Sequence, residues 1–342
     1  MRIKTLLLTL TLVLFISTNW IQAQLSFNDN IVSHWKLDET SGTTVTDNIT
    51  GATGSIVGDA VSFVDGVSGG AIDFSNYTTG DIAGIVVKDD GSNLTPINFT
   101  SESFTISLWA IVDPTLAEQT QIIKGTNGAD AVDFDGNPVN NANGNRFTIQ
   151  TKSSEIRFAI DDDQDGVTGK TQLGVDITTL ATPYPTGEWV NIVGVRDRSS
   201  TMLYLYLNGV QIGSTIDATG DLNIAGQDLV IGNYVTGANV TMGPLDDIMI
   251  INKALSETEV TELYDSYFNS SGFRNIKLSG ANITSKENQI KISVNSPSSV
   301  SVYSIDGKAI VDKTVDGIAT IPAKSGIYIV KVNGKAMKVM VK

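Results

Sequence analysis

The chain has 342 residues, of which 41% are hydrophobic, and it carries a net charge of −14 with one histidine and no cysteine. This acidic balance excludes a protein that binds nucleic-acid phosphates, because that function needs clustered lysine and arginine. The lack of cysteine excludes disulfides, so the fold depends on its apolar core and on any metal that it binds.

The first residues have the pattern of a secretory signal peptide. Arg2 and Lys4 precede an apolar stretch from Leu6 to Ile16, and a polar region then ends in the small-residue pattern Ile21-Gln22-Ala23. A membrane anchor is the alternative, but a spanning helix needs about 20 apolar residues. The pattern predicts a signal peptide at 1–23 and a processed protein that is secreted or held on the outer cell surface, not integral to a membrane.

The charge changes sign along the chain. Residues 24–274 hold 11 basic and 33 acidic residues, net −22, whereas residues 275–342 hold ten lysines and four acidic residues, net +6. The stretch NSSGFRN at 269–275 has the small, polar character of a linker. We therefore predict two units, at 24–271 and 272–342.

The first unit has the pattern of an all-β domain. Short alternating or apolar runs recur between glycine, asparagine and aspartate residues, which predicts many strands. The clearest runs are SFTISLWAIV, RFTIQTK, EIRFAI, EWVNIVGVR, MLYLYLNG, DLVIGN and DDIMIIN. Asn208-Gly209 predicts a hairpin with a type I′ turn, because both residues tolerate positive φ angles. So many strands in one unit indicate a two-sheet sandwich or a barrel.

One helix is predicted near the end of this unit. Ser256 and Glu259 have the spacing of a capping box, and Leu255 and Val260 flank it as a hydrophobic staple. The apolar face continues through Leu263, Tyr264 and Tyr267. We expect this face to seal one end of the sandwich.

Six successive blocks of the first unit resemble those of a LamG-like, concanavalin-type jelly roll. The blocks are VSHWKLDETSGTTVTDNITG, GGAIDFSN, FTISLWAIVD, GEWVNIVGVRD, LYLYLNGVQIGS and GPLDDIMIINKALSETEVTELYDS. The resemblance implies an all-β jelly-roll sandwich of two antiparallel sheets. It also implies a superfamily that contains carbohydrate-binding modules, adhesion modules and some glycosidases.

The second unit resembles the type A C-terminal sorting domain of the Bacteroidota type IX secretion system. The matching stretches are VSVYSIDGKAIVDK and the terminal TIPAKSGIYIVKVNGKAMKVMVK. This resemblance implies a small β-sandwich, the type IX secretion machinery as a partner, and transport across the outer membrane. A small accessory module, such as an immunoglobulin-like one, is the alternative.

The residues needed for catalysis are sparse. His34 is the single histidine, so a serine or cysteine hydrolase with a histidine base and a histidine-rich zinc site both lack their residues. We expect His34, beside Trp35 in a strand pattern, to be structural. Glycoside hydrolysis needs only two carboxylates, but the Glu-x-Asp-x-x-Glu spacing of the family 16 glycosidases, which share this type of fold, does not occur. We assign no catalytic residue, and a glycoside hydrolase remains an alternative.

Glycan binding needs flat aromatic faces with polar neighbours. The tryptophans of the first unit, Trp35, Trp109 and Trp189, occupy positions at which the resembled blocks have core aromatics, so we expect them to be buried. Tyrosines in loops are better placed to meet a ligand. The ligand-binding candidates are Tyr77, Tyr184 and Tyr234.

A stretch of aspartates gives one candidate calcium site. Asp161, Asp163 and Asp165, followed by Gly166, satisfy D-x-D-x-D-G, in which alternate carboxylates converge on a hard cation. An EF-hand would continue to a glutamate at its twelfth position, where this chain has Gln172, and the flanks predict strands. The stretch is therefore either a hairpin loop that binds calcium or a solvated acidic turn.

The jelly-roll resemblance implies a second candidate calcium site. Such domains often hold a structural calcium between the start of the chain and the last strand. The matching segments, LDETSG and LDDIMI, place Asp38, Glu39, Asp246 and Asp247 there. One cation would then link the two ends of the sandwich and reduce repulsion in an acidic domain. The alternative is that Asp246 only accepts hydrogen bonds from the backbone.

Taken together, the residues and the resemblances predict a calcium-stabilised binding protein on the outer cell surface or in the medium. The predicted ligand is an extracellular polysaccharide or glycoconjugate, and calcium is the predicted ion. A protein-binding adhesion module and a glycoside hydrolase are the alternatives.

Overall fold

The structure is a computed structural model that describes residues 25–76, 83–125, 144–162, 169–234, 236–268, 281–286, 288–305, 307–324 and 326–341. The predicted signal peptide at 1–23 and the predicted linker at 269–275 lie outside these ranges. Three short 3-10 helices occur at Asn28–Asn30, Thr95–Ile97 and Ile177–Thr179.

The described residues of the first unit form sixteen strands followed by one α-helix. The elements are β1 (Ile31–Trp35), β2 (Thr44–Thr46), β3 (Thr53–Val57), β4 (Ser62–Asp65), β5 (Gly70–Asp73), β6 (Gly84–Val87), β7 (Phe104–Ala110), β8 (Gln119–Gly125), β9 (Arg146–Lys152), β10 (Glu155–Asp161), β11 (Lys170–Asp176), β12 (Val190–Asp197), β13 (Met202–Leu207), β14 (Val210–Ile216), β15 (Leu229–Ile231), β16 (Pro244–Ile251) and α1 (Glu257–Phe268).

The strands form two antiparallel sheets of eight strands each. Sheet A has the order β14-β13-β12-β7-β16-β5-β4, with β1 also paired to β16, and sheet B has the order β11-β10-β9-β8-β15-β6-β3-β2. Each sheet turns one face, here called its inner face, toward the other sheet, and the inner faces share one apolar core. The predicted two-sheet jelly-roll sandwich is confirmed.

Alternation along each strand decides which side chains enter this core. In β9, Phe147 and Ile149 point inward, while Arg146, Thr148 and Gln150 lie on the outer face of sheet B. The same alternation holds in β10. At β9 and β10, the outer face of sheet B therefore carries mostly polar side chains, and the apolar core lies on the opposite side of the sheet.

Strand β7 lies in the middle of sheet A and is covered on both faces. Phe104, Ile106 and Leu108 enter the core between the sheets, while Trp109 points outward and lies under α1, where its ring stacks on Tyr264 with centroids 5.6 Å apart. Burial on both faces explains why the sequence of this strand reads as one apolar run.

The capping box of α1 is confirmed. The backbone N–H of Glu259 donates to the Ser256 hydroxyl at 3.4 Å, and the Glu259 carboxylate accepts from the Ser256 backbone N–H at 3.0 Å. The expectation that α1 seals one end of the sandwich was wrong. Val260 and Leu263 pack against Val193 and other outward-facing residues of sheet A, so α1 covers the outer face of that sheet. It lies there because the outward residues of β12 and β16 are apolar.

The predicted hairpin between β13 and β14 is confirmed as well. Asn208 and Gly209 have φ angles of +52° and +76°, as a type I′ turn requires. The Asn208 side chain also accepts a hydrogen bond from the backbone N–H of Asn191 at 2.8 Å, which links the turn to β12.

The C-terminal unit forms a separate five-stranded antiparallel sheet. Its strands are β17 (Ala281–Lys286), β18 (Gln289–Ser304), β19 (Ala309–Pro322), β20 (Gly326–Val332) and β21 (Lys335–Val341). The long strand β18 pairs with β19 over most of its length, and with β17 and β20 at its two ends. This unit has its own apolar core, which includes Ile292, Val302 and Val330.

Candidate functional site

The predicted calcium ligands Asp38 and Asp246 meet at one turn. Asp38 Oδ1 accepts a hydrogen bond of 2.7 Å from the backbone N–H of Gly70, and Asp246 Oδ2 accepts one of 3.1 Å from Ser68. Ser68 lies in the turn between β4 and β5, and Gly70 is the first residue of β5. A Cβ added at Gly69, where φ is +76°, would lie 2.0 Å from Asp38 Oδ1, so glycine is needed for this close approach.

Asp246 is buried and incompletely paired. It is 0% exposed, and its Oδ1 atom has no hydrogen-bond partner within the described part of the chain. Burial, followed by the neighbouring charge of Asp247, raises its pKa to about 8, although backbone N–H groups such as that of Ser68 act in the opposite direction. This carboxylate is therefore unstable as an anion in its present surroundings, and a cation would relieve that instability.

The other two predicted ligands have different partners. Asp247, whose φ is +43°, places Oδ1 2.7 Å from the Nε2 atom of His34. Glu39 Oε1 accepts a hydrogen bond of 3.1 Å from the backbone N–H of Thr46. Over the ranges that the structure covers, no three histidine, aspartate or glutamate side chains lie close enough together to hold a metal.

Two carboxylates at this turn nevertheless suit a calcium ion. Calcium takes six to eight oxygen ligands and accepts backbone carbonyls and water beside carboxylates. Asp246 offers a buried oxygen that lacks a partner among the described residues, and Asp38 contacts the same region through the Gly70 N–H. The fit rests on these two residues, while Asp247 and Glu39 are held elsewhere.

The acidic stretch after β10 is described only in part. Asp163 and Asp165 lie outside the described residues. Asp161 is buried at the end of β10, and its Oδ2 lies 3.3 Å from Arg146 Nη2. This carboxylate is therefore balanced by an arginine.

The described tyrosine candidates have different surroundings. Tyr77 lies outside the described residues. Tyr184 packs against the core, its hydroxyl donates to the Val112 carbonyl at 3.0 Å, and burial raises its pKa. Tyr234 is buried at the outer face of sheet B, where its hydroxyl accepts a hydrogen bond of 3.3 Å from Arg146. Of these two, Tyr234 lies among residues that could form a binding face.

Burial of two tryptophans is confirmed. Trp35 is 0% and Trp109 is 1% exposed, and Trp109 also makes an edge contact with Tyr267, with centroids 5.0 Å apart. Trp189 is partly buried. Neither Trp35 nor Trp109 offers a ring to a ligand.

A row of small and apolar residues crosses the outer face of sheet B. Strand register places these side chains next to one another in the order Val86, Val230, Ile123, Thr148 and Ala159. Tyr234 packs against the first three. This row, which we call the central row, is not visible in the sequence, because its members come from five different strands.

Polar rows flank the central row on both sides. On one side the register aligns Arg146, Asp161 and Lys170, and on the other side it aligns Thr120, Gln150 and Arg157. The sequences RFTIQTK and EIRFAID indicate the outward polar positions of β9 and β10, since every second residue in them is polar or small. The two rows give the face hydrogen-bonding groups on either side of an apolar strip.

Several side chains of this face are fixed by hydrogen bonds. Gln150 Nε2 donates to Thr120 Oγ1 at 3.0 Å and to Glu118 Oε1 at 3.2 Å. Glu118 also pairs with Lys152 at 2.5 Å. Such contacts orient the polar groups before any ligand arrives, which reduces the entropy cost of binding.

Access to the face differs along the central row. Ile123 is 0% and Thr148 is 1% exposed. Toward the edge strand β11, Arg157 is partly exposed and Lys170 and Gln172 are exposed. Ala159 is 1% exposed as well, so the accessible part of the candidate binding face is the edge formed by Arg157 of β10 and the outward residues of β11.

Comparison with known proteins agrees with this architecture. A laminin G-type family model, described as the concanavalin A-like lectin/glucanases superfamily, matches residues 87–261. No curated protein sequence matches the chain significantly. Among the described residues, no helix has the length and apolar character needed to cross a membrane.

Solved structures resemble the chain at low sequence identity. The binding domain of Paraclostridial Mosquitocidal Protein 1 has a TM-score of 0.52 and 17% identity, over 89% of this chain and 75% of that chain. The ligand-binding domain of botulinum neurotoxin serotype D, in complex with N-acetylneuraminic acid, has a TM-score of 0.50 and 15% identity, over 91% and 73%. The binding domain of botulinum neurotoxin DC, in complex with rat synaptotagmin II, has a TM-score of 0.50 and 15% identity, over 92% and 74%.

The buried carboxylate of Asp246 predicts an unusual pH dependence of stability in metal-free protein. Because its pKa is raised from 3.8 to about 8 on folding, its stabilising proton is fully present below pH 4 and is lost as the pH rises toward 8. Asparagine at position 246 cannot ionise. Between pH 5 and pH 8, the free energy of unfolding of the Asp246→Asn variant should therefore rise relative to that of the wild type. The rise should be at most on the order of 1 kcal/mol per pH unit.

Urea denaturation in EDTA at a series of pH values measures this difference. Asp29→Asn, at an exposed position, is the matched control and should keep a constant difference from the wild type. If Asp246→Asn also keeps a constant difference, the carboxylate is not destabilised by burial.

Proposed function

Because the chain belongs to the concanavalin A-like lectin/glucanase superfamily, we propose that it is a secreted or cell-surface protein that binds polysaccharide and is stabilised by calcium. The outer face of sheet B is the proposed binding site. The observation that carries this proposal is the accessible polar edge of that face at β10 and β11, where Arg157, Lys170 and Gln172 lie.

The chemistry of this face suits a sugar chain. A pyranose ring has apolar C–H faces and a rim of hydroxyl groups, so it needs an apolar surface with hydrogen-bonding groups beside it. Every residue of the central row is at most 5% exposed, so the surface open to a sugar is the edge formed by β10 and β11. Gln172 and Arg157 provide donors and acceptors there, and the exposed Gly174 adds no side chain that would block an extended polymer.

The fold alone does not decide between sugar and protein ligands. Among the structurally similar domains, one was solved with N-acetylneuraminic acid and another with synaptotagmin II. Function must therefore be argued from the site. The aligned polar rows and the small residues between them support a glycan ligand, because no large exposed apolar side chain lies among the described residues of this face.

Calcium is proposed as a structural ion at the turn between β4 and β5. Asp38 and Asp246 would hold it, and its charge would stabilise the ionised form of Asp246. Asp161 is less suited as a ligand, since Arg146 already balances its charge. The ion would link the beginning of the jelly roll to its last strand.

Export is proposed to depend on both ends of the chain. Residues 1–23 would direct the protein across the inner membrane, and residues 272–342 would be recognised by the type IX secretion machinery. The separate sheet and core of the C-terminal unit support this proposal, as does its positive charge in an otherwise acidic chain.

Calcium is expected to raise the melting temperature of the mature protein at pH 8. If millimolar calcium exceeds the dissociation constant about 100-fold, the shift should be roughly 5–10 °C for a domain of this size. Asp38→Asn and Asp246→Asn should each reduce the shift, whereas Asp29→Asn should retain it. Differential scanning calorimetry with calcium, magnesium and EDTA measures this effect, and an unchanged melting temperature would rule out both calcium sites.

A glycan array, repeated with calcium and with EDTA, tests the binding function. We expect binding to a subset of polysaccharides, weakened in EDTA through loss of stability. Chromatography of the bound glycans distinguishes the alternatives, because released oligosaccharides would indicate a glycosidase. No binding to any glycan in calcium would reject polysaccharide binding and favour a protein-binding adhesion module.

Secretion can be tested in a bacterium that has a type IX system. A chain truncated after residue 271 should remain in the periplasm, while the full chain reaches the surface or the medium. Fusing residues 272–342 to a periplasmic fluorescent protein should export that protein. Immunoblotting of the cell fractions measures export. Equal export of the full and truncated chains would reject the sorting role.

A further inference from the structure

The basic residues of the acidic first unit are concentrated on the outer face of sheet B. Residues 24–274 contain eleven basic residues, and four of them, Arg146, Lys152, Arg157 and Lys170, occupy outward positions of β9, β10 and β11. Five others form ion pairs elsewhere in the unit: Lys88 with Asp228, Lys124 with Asp89, Arg196 and Arg198 with Asp217, and Lys253 with Glu259. The candidate binding face is thus unlike the rest of the surface.

Three of these four cations have an acidic partner on the same face. Arg146 pairs with Asp161 at 3.3 Å, Lys152 with Glu118 at 2.5 Å, and Arg157 with Glu155 at 2.7 Å. Lys170 differs, because no carboxylate of the described residues lies within ion-pair distance of its amine. Since Lys170 is exposed, its charge is available to a ligand.

Charges of both signs surround Lys170. Partial burial, followed by the charge of Arg146 and then that of Arg157, lowers its pKa, although Asp161 and Glu118 act in the opposite direction. Strand register puts Asp161 and Lys170 side by side and places Arg157 opposite Gly174, four residues from Asp161 along β10. An anionic chain that lies along this edge would meet two cations.

Small residues leave room beside these cations. Ala159 and Gly174 neighbour Arg157 and Gln172 on the outer face. A Cβ at Gly174 would lie 2.8 Å from Glu155 Oε2, so a side chain there would displace the carboxylate that holds Arg157. Gly174 therefore preserves the Arg157 position and leaves the surface beside Arg157 open, while Ala159 and Gln172 lie between Arg157 and Lys170 in the register.

Resting on the proposed polysaccharide function, we propose that the β11 side of the outer face of sheet B binds anionic sugar units, with Lys170 as the principal charge contact and Arg157 as the second. Lysine and arginine form charge-assisted hydrogen bonds with carboxylate or sulfate oxygens, and these bonds are stronger than neutral ones. Uronates and sulfated sugars share this chemistry. A neutral polymer would form no charge-assisted contact with Lys170.

Binding measurements on matched pairs of polymers test this inference. The mature protein is titrated by calorimetry with a polyuronate and its carboxyl-reduced form, and with a sulfated galactan and its desulfated form. We expect one anionic polymer to bind roughly tenfold more tightly than its neutral counterpart. The pair that shows the preference identifies the anionic group, and the preference should fall as sodium chloride is raised.

Variants locate the contact on the protein. Lys170→Gln should remove most of the anionic preference and leave binding of the neutral polymer unchanged, while Arg157→Gln should reduce the preference in part. Lys88→Gln is the matched control, because Lys88 is exposed and pairs with Asp228. Melting temperatures check that each variant is folded.

The outcomes separate this inference from the function on which it rests. Equal binding of charged and neutral polymers, or an unchanged preference in Lys170→Gln, overturns the anionic-sugar inference while polysaccharide binding stands. If no glycan of the array binds either, the proposed function itself fails.

Discussion

The apolar contact between the inner faces of the two sheets fixes every other feature of the jelly roll. The sheets approach closely, since a Cβ added at Gly194 would lie 2.6 Å from the ring of Phe158. With alternate residues of each strand committed to this core, the residues between them must point outward. The two outer faces then differ. Apolar outward residues of sheet A are covered by α1, whereas the outward residues of β9 to β11 are mostly polar and form the candidate binding face.

The acidic unit manages its carboxylates in two opposite ways. Burial alone would raise the pKa of Asp217, but hydrogen bonds from Thr219 and the charge of Arg196 hold it below its ordinary value. Among the described residues, Asp246 has no such cation beside it, and burial and Asp247 dominate. An aspartate carboxylate is thus stable as an anion at Asp217 and unstable as an anion at Asp246. An added positive charge at the turn between β4 and β5 would therefore stabilise the fold.

Local features of the fold could be predicted from the sequence, because neighbouring residues determine them. The capping box at Ser256 and the Asn208-Gly209 turn depend on a few adjacent positions, and alternation gave the strands. The position of α1 depends on which outward residues of sheet A are apolar, so it required the strand order. The central row could not be found in the sequence, since strand register brings Val86, Val230 and Ile123 together from distant segments. Asp38 and Asp246 were paired through a family resemblance, and their common turn needed the structure.

The net charge of −22 in the first unit makes the position of its basic residues more important than their number. At physiological ionic strength the Debye length is about 8 Å, so the field of the acidic surface is largely screened before a ligand arrives. At contact distance, however, Lys170 and Arg157 would interact with the proposed ligand directly, and partial burial reduces the screening of such contacts. A polyanion that places its charges elsewhere on the unit meets carboxylates and gains nothing. Such an arrangement selects a ligand by where its charges fall along the strands, which gives specificity more than affinity.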